Sequence, residues 1–473
     1  MEFTSISFIV FIAVVMAVYL IIPHRARAVF LLIASLVFYG FYALWAPVFI
    51  ILFSLGFFLA ARKIHLSTHK RLKFLLTVIG GTVVLYFFLR YSDIWNTFLS
   101  ALSAPGGINI RIVFPLGFSY YMFKCISYLL DVYHEKMEPE HSFSRFLLYT
   151  AYFPEISLGP ITRASHFLPQ IDKEKHFSPQ DIGTGLFMIL WGFFKKLIFA
   201  DQLAILISPY YGSVNTLSSG LGWLAVCFAY FIQLYLDFSA YTDISVGISR
   251  VLGFNIKHNF NAPLIAQTMS EYWRRWHISL YTWFSDYVFT PLQFSWRKLN
   301  IFASMLAALA TLSISGVWHG VTPGFLIWGV LMGICVAFDA LVAKKRKKLK
   351  KKLPAWLFSG LGITITLLIN TLVLSFTRAK SAGDALFILG RIFSFSSWSS
   401  SGMDVAFWTA LALGVVITTA SHLLEWKRPA LTSGLYRLPI AVRWGGYIVM
   451  LFAIILFSAG GTDIVGGFIY AQF

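Results

Sequence analysis

Two histidines in the second half of the chain carry the side chain best suited to proton transfer near neutral pH. His277 ends the run Glu271-Tyr-Trp-Arg-Arg-Trp-His, and His319 lies in the run Ser315-Gly-Val-Trp-His-Gly. His319 also ends an apolar segment, where a single histidine is equally typical of a hydrogen-bonded packing residue. The local sequence therefore leaves catalysis and packing open as roles for His319.

The segment from Thr268 to Tyr287 has the spacing of an amphipathic helix. Its apolar face consists of Met269, Trp273, Trp276, Leu280, Trp283 and Tyr287. A neighbouring polar row at the same spacing consists of Ser270, Arg274, His277 and Tyr281. We predict one continuous helix, which begins with a capping box at Thr268 and Glu271 and is ended by Pro291.

The polar row of this helix has two possible uses. Tryptophan and arginine side chains anchor helices at membrane surfaces, and in that case the row is structural. Alternatively, Arg274 or Arg275 holds an anionic substrate, because the guanidinium fork matches the geometry of phosphate. Periodicity does not decide between the two.

Acidic residues also occur inside an apolar stretch, where ionisable groups are costly and mark function by default. Asp237 and Asp243 lie there together with Tyr235, Ser239 and Tyr241. Asp237 and Tyr241 are one helical turn apart and share a face. A proton relay in a transporter, buried hydrogen-bonding partners and direct catalysis are all compatible with this pattern.

Membrane helices are the elements that must position these residues. The chain has 473 residues, of which 58% are hydrophobic and 12% charged, whereas soluble proteins contain roughly a quarter charged residues. Apolar runs of about 20 residues, each long enough to cross a bilayer, recur along the chain. We predict an all-α polytopic membrane protein with about 11–12 transmembrane helices. The predicted spans are residues 5–22, 28–45, 47–61, 73–90, 112–131, 188–208, 222–250, 299–317, 324–343, 355–376, 404–424 and 444–459.

Two further segments, 147–170 and 253–298, are predicted to be re-entrant or interfacial, because one is broken by proline and glycine and the other is too polar to cross. The formal charge of +18 is concentrated in clusters that flank the spans, with eight basic residues between Lys344 and Lys352. Such clusters orient membrane proteins and attract anionic lipids, so nucleic-acid binding is not expected. The first helix is predicted to stay uncleaved with its N-terminus outside, which places most basic loops in the cytoplasm.

Several common catalytic and binding motifs are absent from the sequence. It contains no serine elbow, P-loop, zincin motif or dinucleotide-binding glycine motif, and these absences argue against the corresponding enzyme classes. The three cysteines have no disulfide or metal-ligand spacing. No bound metal and no bound cofactor are therefore expected.

The order of the motifs resembles the membrane-bound O-acyltransferase family, and above all its alginate and peptidoglycan O-acetyltransferase branch. The motifs that carry the resemblance are Tyr235-Leu-Asp-Phe-Ser-Ala-Tyr-Thr-Asp243, Asn259-Phe-Asn-Ala-Pro263, Glu271-Tyr-Trp-Arg-Arg-Trp-His277 and Gly316-Val-Trp-His-Gly320. The chain departs from this branch at Glu155, where a neutral or basic residue is usual. The resemblance spans the chain and implies one integral-membrane acyltransferase domain over 1–473. Its catalytic core would occupy about 112–343 and its C-terminal helices 355–473.

The resemblance also implies an arrangement of the site, in which helices surround a thin core pierced by a central tunnel. His319 would be the catalytic histidine, placed where a cytosolic acyl donor meets an acceptor from outside. His277 would position groups or assist proton transfer. The residues implied in substrate or donor binding are Trp318, Arg274, Arg275, Trp273, Asn261, Asp237, Tyr241 and Asp243.

The function expected from the resemblance is acyl transfer, with acetyl-CoA as the first donor to consider. The acceptor would be a hydroxyl group on the outer side of a bacterial plasma membrane, in O-acetylation of cell-envelope or exported polysaccharide. A secreted or membrane-anchored partner acyltransferase would receive or relay the group. D-alanyl transfer for teichoic acid modification is an alternative within the same chemistry. A proton-coupled transporter using Asp131, Asp237 and Asp243 is the alternative from another class. The sequence does not indicate an oligomeric state.

Overall fold

The computed structural model describes residues 3–67, 69–91, 113–320, 322–398, 402–426, 438–458 and 468. Within these ranges the secondary structure is helical throughout and contains no strand. In chain order the α-helices are α1 (Ile6–Ile21), α2 (His24–Gly40), α3 (Ala46–Leu66), α4 (Arg71–Arg90), α5 (Phe118–Tyr133), α6 (Phe143–Ala151), α7 (Ala164–Asp172), α8 (Pro179–Phe194), α9 (Asp201–Gly212), α10 (Gly220–Val251), α11 (Met269–Arg275), α12 (Ile278–Phe284), α13 (Thr290–Ser295), α14 (Ile301–His319), α15 (Pro323–Lys350), α16 (Ala355–Val373), α17 (Ser375–Arg378), α18 (Ala382–Phe393), α19 (Val405–Trp426) and α20 (Ile440–Ser458).

The prediction of an all-α polytopic membrane protein is confirmed. Among the described residues, nine helical segments are long and apolar enough to cross a membrane, and each of the predicted spans overlaps a helix. Three of the predicted spans correspond to α1, α2 and α5, which contain 16, 17 and 16 residues. These three helices are shorter than the roughly 20 residues that a perpendicular crossing needs.

The chain divides into two units of dense internal packing. The first consists of Met1–Leu186 with Ser245–Lys257, and the second consists of Phe187–Ile244 with His258–Phe473. Every site residue predicted from the sequence belongs to the second unit, whereas Asp131 belongs to the first.

In the first unit, the unusual residue Glu155 is neutralised by a buried lysine. Lys124 on α5 donates hydrogen bonds to a Glu155 carboxylate oxygen at 2.5 Å and to the Tyr149 carbonyl oxygen at 3.1 Å. The Thr162 hydroxyl donates to the other carboxylate oxygen of Glu155. A buried carboxylate is tolerated when it is paired and hydrogen-bonded, so Lys124 and Thr162 together make a glutamate acceptable at this position.

In the second unit, the prediction of one continuous helix from Thr268 to Tyr287 is wrong. Helix α11 ends at Arg275, His277 adopts a left-handed conformation with φ of 44°, and α12 begins at Ile278. A π-helical segment, Ser285–Phe289, follows α12. The predicted start is confirmed, because the Thr268 side chain accepts a hydrogen bond from the Glu271 amide at 2.9 Å.

The cause of the break is Asn259, which is distant in sequence and buried beneath His277. Its carbonyl oxygen accepts from the Ile278 amide at 2.9 Å. Its side-chain oxygen accepts from the Ser279 amide at 3.1 Å. These bonds satisfy two of the amide groups that the start of α12 leaves without helical partners, which favours a second helix start here.

The prediction that Pro291 ends the helical run is also wrong, because Pro291 lies in the first turn of α13. Helix α13 continues directly from the π-helical segment Ser285–Phe289, because the Thr290 amide donates to the Ser285 carbonyl oxygen. The wide π-helical turn therefore comes just before the proline, which has no amide hydrogen to donate. Helix α15 likewise extends beyond its predicted end at residue 343 and carries the basic run as far as Lys350 in helical form.

Glycines bring α14 and α15 into close backbone contact. A Cβ atom on Gly329 would lie 2.5 Å from the Leu312 carbonyl oxygen, and one on Gly316 would lie 2.5 Å from the Phe325 carbonyl oxygen. Such distances exclude any larger side chain at either position. Small residues are the usual device for close helix packing in membranes, and here they hold the end of α14, with His319, against the beginning of α15.

Candidate active site

His319 is the last residue of α14 and is 5% exposed. Its ring packs edge-to-face against Trp328 of α15, with centroids 5.2 Å apart and an interplanar angle of 88°. The Trp318 ring makes a second edge-to-face contact with the imidazole, with ring centroids 4.5 Å apart. Two indole rings therefore fix the orientation of this imidazole.

His277 is buried at the break between α11 and α12. Its ring contacts Phe238 edge-to-face, with centroids 4.7 Å apart. A left-handed conformation at a residue other than glycine costs about 1–3 kcal/mol and is typical of functional sites. Burial, and secondarily the nearby His319, lowers the pKa of His277 well below its ordinary value of 6.5. Because His277 lies outside the nine candidate spans, we infer that its imidazole is neutral at neutral pH and able to accept a proton.

A cavity of about 300 Å³ opens beside His277, and we call it the histidine cavity. Its lining includes the complete polar row predicted from the sequence, which consists of Ser270, Arg274, His277 and Tyr281. Small residues of α14 form one wall: Ser304, Ala308, Thr311 and Ser315. His319 is not among the lining residues, but it lies one helical turn beyond Ser315 on the same side of α14.

An open groove of about 610 Å³ shares Ser270, Arg274 and Ala340 with the histidine cavity. We call it the basic groove, because its cationic lining consists of Arg274, Arg346, Lys347 and Lys350. The two carboxylates that also line the groove already have partners within the protein. Asp339 accepts from the Ser270 amide at 2.8 Å, and Glu271 pairs with Arg275 at 2.9 Å. The groove therefore offers net positive charge to an anionic ligand.

Comparison of the sequence with known proteins assigns this chain to a family. The model of the membrane-bound O-acyltransferase family matches residues 120–351. The chain is also 31% identical over 431 residues to the probable alginate O-acetylase AlgI of Pseudomonas aeruginosa, an alignment that covers 88% of this chain and 79% of that protein. The chain belongs to the membrane-bound O-acyltransferase family.

Other relatives of this O-acyltransferase carry related names. The peptidoglycan O-acetyltransferase of Helicobacter pylori is 30% identical over 393 residues, which cover 76% of this chain and 72% of that protein. The teichoic acid D-alanyltransferase of Bacillus subtilis is 29% identical over 301 residues, which cover 62% of this chain and 74% of that protein. The chain is thus an O-acyltransferase and a multi-pass membrane protein.

Of the predicted binding residues of the O-acyltransferase, Trp273 and Arg274 line the histidine cavity. Arg275 instead pairs with Glu271 and donates to the Asn261 carbonyl oxygen at 3.0 Å. The Asn261 side chain is exposed, and neither residue lines the cavity. The residue that sequence reasoning missed is Asn259. Its motif was recognised, but the motif alone does not show which of its two asparagines faces inward.

The acidic residues form a separate structure, which we call the ion-pair cluster. Lys196 contacts Asp237 at 2.7 Å and Asp201 at 2.8 Å, and Lys195 contacts Asp243 at 2.8 Å. Both lysines lie in a π-helical segment, Lys195–Ala200, and are almost completely buried. The structure therefore brings Asp237 and Asp243 to lysines and not to the histidine cavity, in agreement with the buried-partner interpretation.

Tyr241 belongs to the surroundings of the same cluster. Its ring packs edge-to-face against Phe468, with centroids 5.1 Å apart, and the Lys196 ammonium lies 4.6 Å from the Phe468 ring centre. The two lysines were visible in the sequence as an adjacent pair in an apolar run. Their separation from the acidic motif by some 40 residues hid the pairing.

Proposed function

We propose that this O-acyltransferase transfers an acetyl group from a cytosolic thioester to a hydroxyl group destined for an extracytoplasmic polysaccharide. The observation that carries the proposal is that the basic groove and the histidine cavity lie side by side and share Ser270 and Arg274 in their linings. The names of the relatives from Pseudomonas aeruginosa and Helicobacter pylori support acetyl transfer to polysaccharide.

The donor that fits this arrangement is acetyl-CoA. Its phosphates would bind in the basic groove, where Arg274 and Arg346 offer planar guanidinium groups and Lys347 and Lys350 offer point charges. The uncharged arm of the donor would enter the histidine cavity, whose lining is mainly apolar. This division matches the two chemically different halves of the donor.

His319 acts as the general base in the proposed reaction. It takes the proton of the acceptor hydroxyl as the oxygen attacks the thioester carbonyl carbon, and it returns a proton to the departing thiolate. His277, held neutral by burial, lines the cavity and positions the reacting groups. The products are an ester of the acceptor and a free thiol.

The proposed location is a bacterial plasma membrane with the N-terminus outside. In this orientation the basic end of α15 faces the cytoplasm, in agreement with the positive-inside tendency. A secreted or membrane-anchored acyltransferase is the proposed acceptor or relay, because a protein built mainly of membrane helices offers little surface to a long polymer.

The test uses membrane vesicles from native cells, so that partner proteins are retained. Vesicles from a strain lacking the gene are compared after complementation with wild type, His319→Ala or His176→Ala, each supplied with radiolabelled acetyl-CoA on the cytoplasmic side. Wild type and His176→Ala, which changes an exposed histidine of the first unit, should place base-labile label in polysaccharide. With His319→Ala, the rate of label transfer should be about 10²–10⁴-fold lower, which is the usual contribution of a general base.

Three results would contradict the proposal. Label transfer by His319→Ala at the wild-type rate would remove the base from the mechanism. Label transfer only from a D-alanyl carrier-protein thioester would favour the function named for the Bacillus subtilis relative. Gradient-driven uptake that persists without any thioester would instead identify a transporter.

A further inference from the structure

Trp328, which packs against His319, and Trp273, which packs against Trp328, carry indole N–H groups that find no acceptor among the residues the structure describes. Trp273 is 6% exposed and Trp328 is 5% exposed, and neither ring nitrogen has a hydrogen-bond partner within the described chain. The two ring centroids are 5.9 Å apart. A buried donor without an acceptor costs about 1–3 kcal/mol, so a pair of them needs an explanation.

Two other indoles of the same unit, one buried and one exposed, are satisfied by the backbone. The Trp223 ring nitrogen donates to the Leu217 carbonyl oxygen at 2.9 Å, and that of Trp398 donates to the Ile392 carbonyl oxygen at 2.9 Å. In both of these cases the fold supplies a backbone acceptor to the indole. The two orphan donors are found where the chemistry is expected.

We propose that the indole N–H groups of Trp273 and Trp328 form the oxyanion site of the transfer reaction. The inference rests on the proposed function. Trp273 lines the histidine cavity, and Trp328 packs against the His319 ring at 5.2 Å. The two donors therefore connect the space for the acyl group with the proton acceptor. Donors held in place in a dry site stabilise developing negative charge without reorganisation during the reaction.

The acceptor oxygen forms a bond to the thioester carbonyl carbon, the carbonyl π pair moves onto its oxygen, and the hydroxyl proton passes to His319. The two indoles donate hydrogen bonds to this oxygen and keep their protons. When the C=O bond forms again, the C–S bond breaks and the thiolate takes the proton from His319.

This inference gives the indole of Trp328 a role that the sequence did not suggest. The resemblance instead pointed to Trp318 as a residue of substrate or donor binding, and that expectation stays a prediction. The Trp318 ring nitrogen is itself buried, although the residue as a whole is half-buried, and charge stabilisation is strongest where water is excluded. Trp273 and Trp328 meet that condition better.

The experiment replaces each donor by phenylalanine, which keeps an aromatic ring and removes the N–H group. Trp273→Phe and Trp328→Phe are compared with Trp223→Phe, a control that removes an N–H group with a backbone partner. All are purified as full chains in lipid nanodiscs. The kinetics of acetyl-CoA consumption with acceptor are measured beside the melting temperature of each variant.

For Trp273→Phe and Trp328→Phe we expect kcat to fall about 10²–10³-fold, as for loss of one oxyanion donor, with KM for acetyl-CoA little changed. Their melting temperatures should stay equal to wild type or rise, because an unsatisfied donor is removed. The control should show the opposite pattern, with a lower melting temperature and a preserved kcat.

Either of two results would overturn the inference. One is a wild-type kcat in both variants. The other is a loss of activity that follows a fall in melting temperature, as a purely structural role predicts. Failure of the proposed function itself would be seen separately, as absence of acetyl-CoA consumption by the wild-type protein.

Discussion

The ion-pair cluster and the surroundings of His277 and His319, which we call the histidine site, are two polar regions of the same unit. They differ in whether the protein supplies partners to their buried polar atoms. In the cluster, Lys195 and Lys196 each meet a carboxylate within 2.8 Å. At the histidine site, the indole nitrogens of Trp273 and Trp328 have no acceptor among the described residues. A buried group that is satisfied by the protein stabilises the fold, whereas one left unsatisfied is available to a ligand. We therefore expect the lysines and aspartates of the cluster to support the fold and the two indoles to take part in the proposed reaction.

The largest effect is expected from breaking the cluster. Lys196→Met leaves Asp201 and Asp237 buried without their cation and should reduce the free energy of unfolding by about 3–5 kcal/mol. The activity per folded molecule should stay close to wild type, because the cluster does not line the histidine cavity. Denaturation in mixed detergent micelles and turnover of the folded fraction measure the two quantities.

Arg71→Met provides the matched control for the cluster. It removes an ion pair with Glu135, whose side chain is mostly exposed, and surface pairs contribute only about 0–1 kcal/mol. If Lys196→Met abolished turnover in protein that remained folded, the separation between support and action would be wrong.

A smaller effect is expected at Asn259, which supports the break between α11 and α12 at His277. Asn259→Ala removes the acceptor of the Ser279 amide and should cost about 1–3 kcal/mol of stability. Because this bond helps to hold His277 in its left-handed conformation, kcat should fall as well. Asn261→Ala is the control, since that side chain is exposed. Equal effects of the two substitutions on kcat would contradict the role given to Asn259.

Substitutions of the cationic residues in the basic groove should change the KM for acetyl-CoA. Replacing Arg346, Lys347 and Lys350 together by alanine should raise the KM for acetyl-CoA about 10-fold, because each charge contributes a screened attraction of a fraction of a kcal/mol. The effect should shrink at high salt, and kcat should be unchanged.

A second triple variant controls for net charge in that measurement. Lys344, Lys348 and Lys351 belong to the same basic run but do not line the groove. Their replacement by alanine removes the same number of positive charges. If both triple variants raised KM equally, general attraction to the surface would explain donor binding, and the groove would not.

The smallest effect concerns the pH dependence of stability. The pKa of His277 in the folded protein lies below 6.5, so the unfolded chain binds its proton more tightly, and acid favours unfolding. This group should reduce stability as pH falls below about 6.5, by at most about 1.4 kcal/mol per pH unit. His277→Asn should flatten the fall of the melting temperature between pH 7 and pH 5. Identical slopes in both proteins would contradict the burial of a neutral imidazole.

The sequence predicted the helices and one complete row of the site, because both depend on local patterns. Ser270, Arg274, His277 and Tyr281 do line one cavity, although the helix that suggested them breaks in the middle. The break was not predictable, since its cause is a hydrogen-bond partner of Ser279 that lies twenty residues earlier, at Asn259. The pairing of Glu155 with Lys124 was hidden for the same reason. Long-range contacts can override local propensity, and one sequence does not report them.

Helix α15 has a consequence for the size of the molecule that this enzyme accepts. It begins beside His319, carries Trp328 in its second turn, and continues without interruption to the cations at its far end. With a rise of about 1.5 Å per residue, Trp328 and Arg346 are about 27 Å apart along a single rigid rod. If the donor binds as proposed, this rod sets a fixed distance between its reacting carbon and its charges. A single residue inserted into this rod would turn its charged end by about 100°.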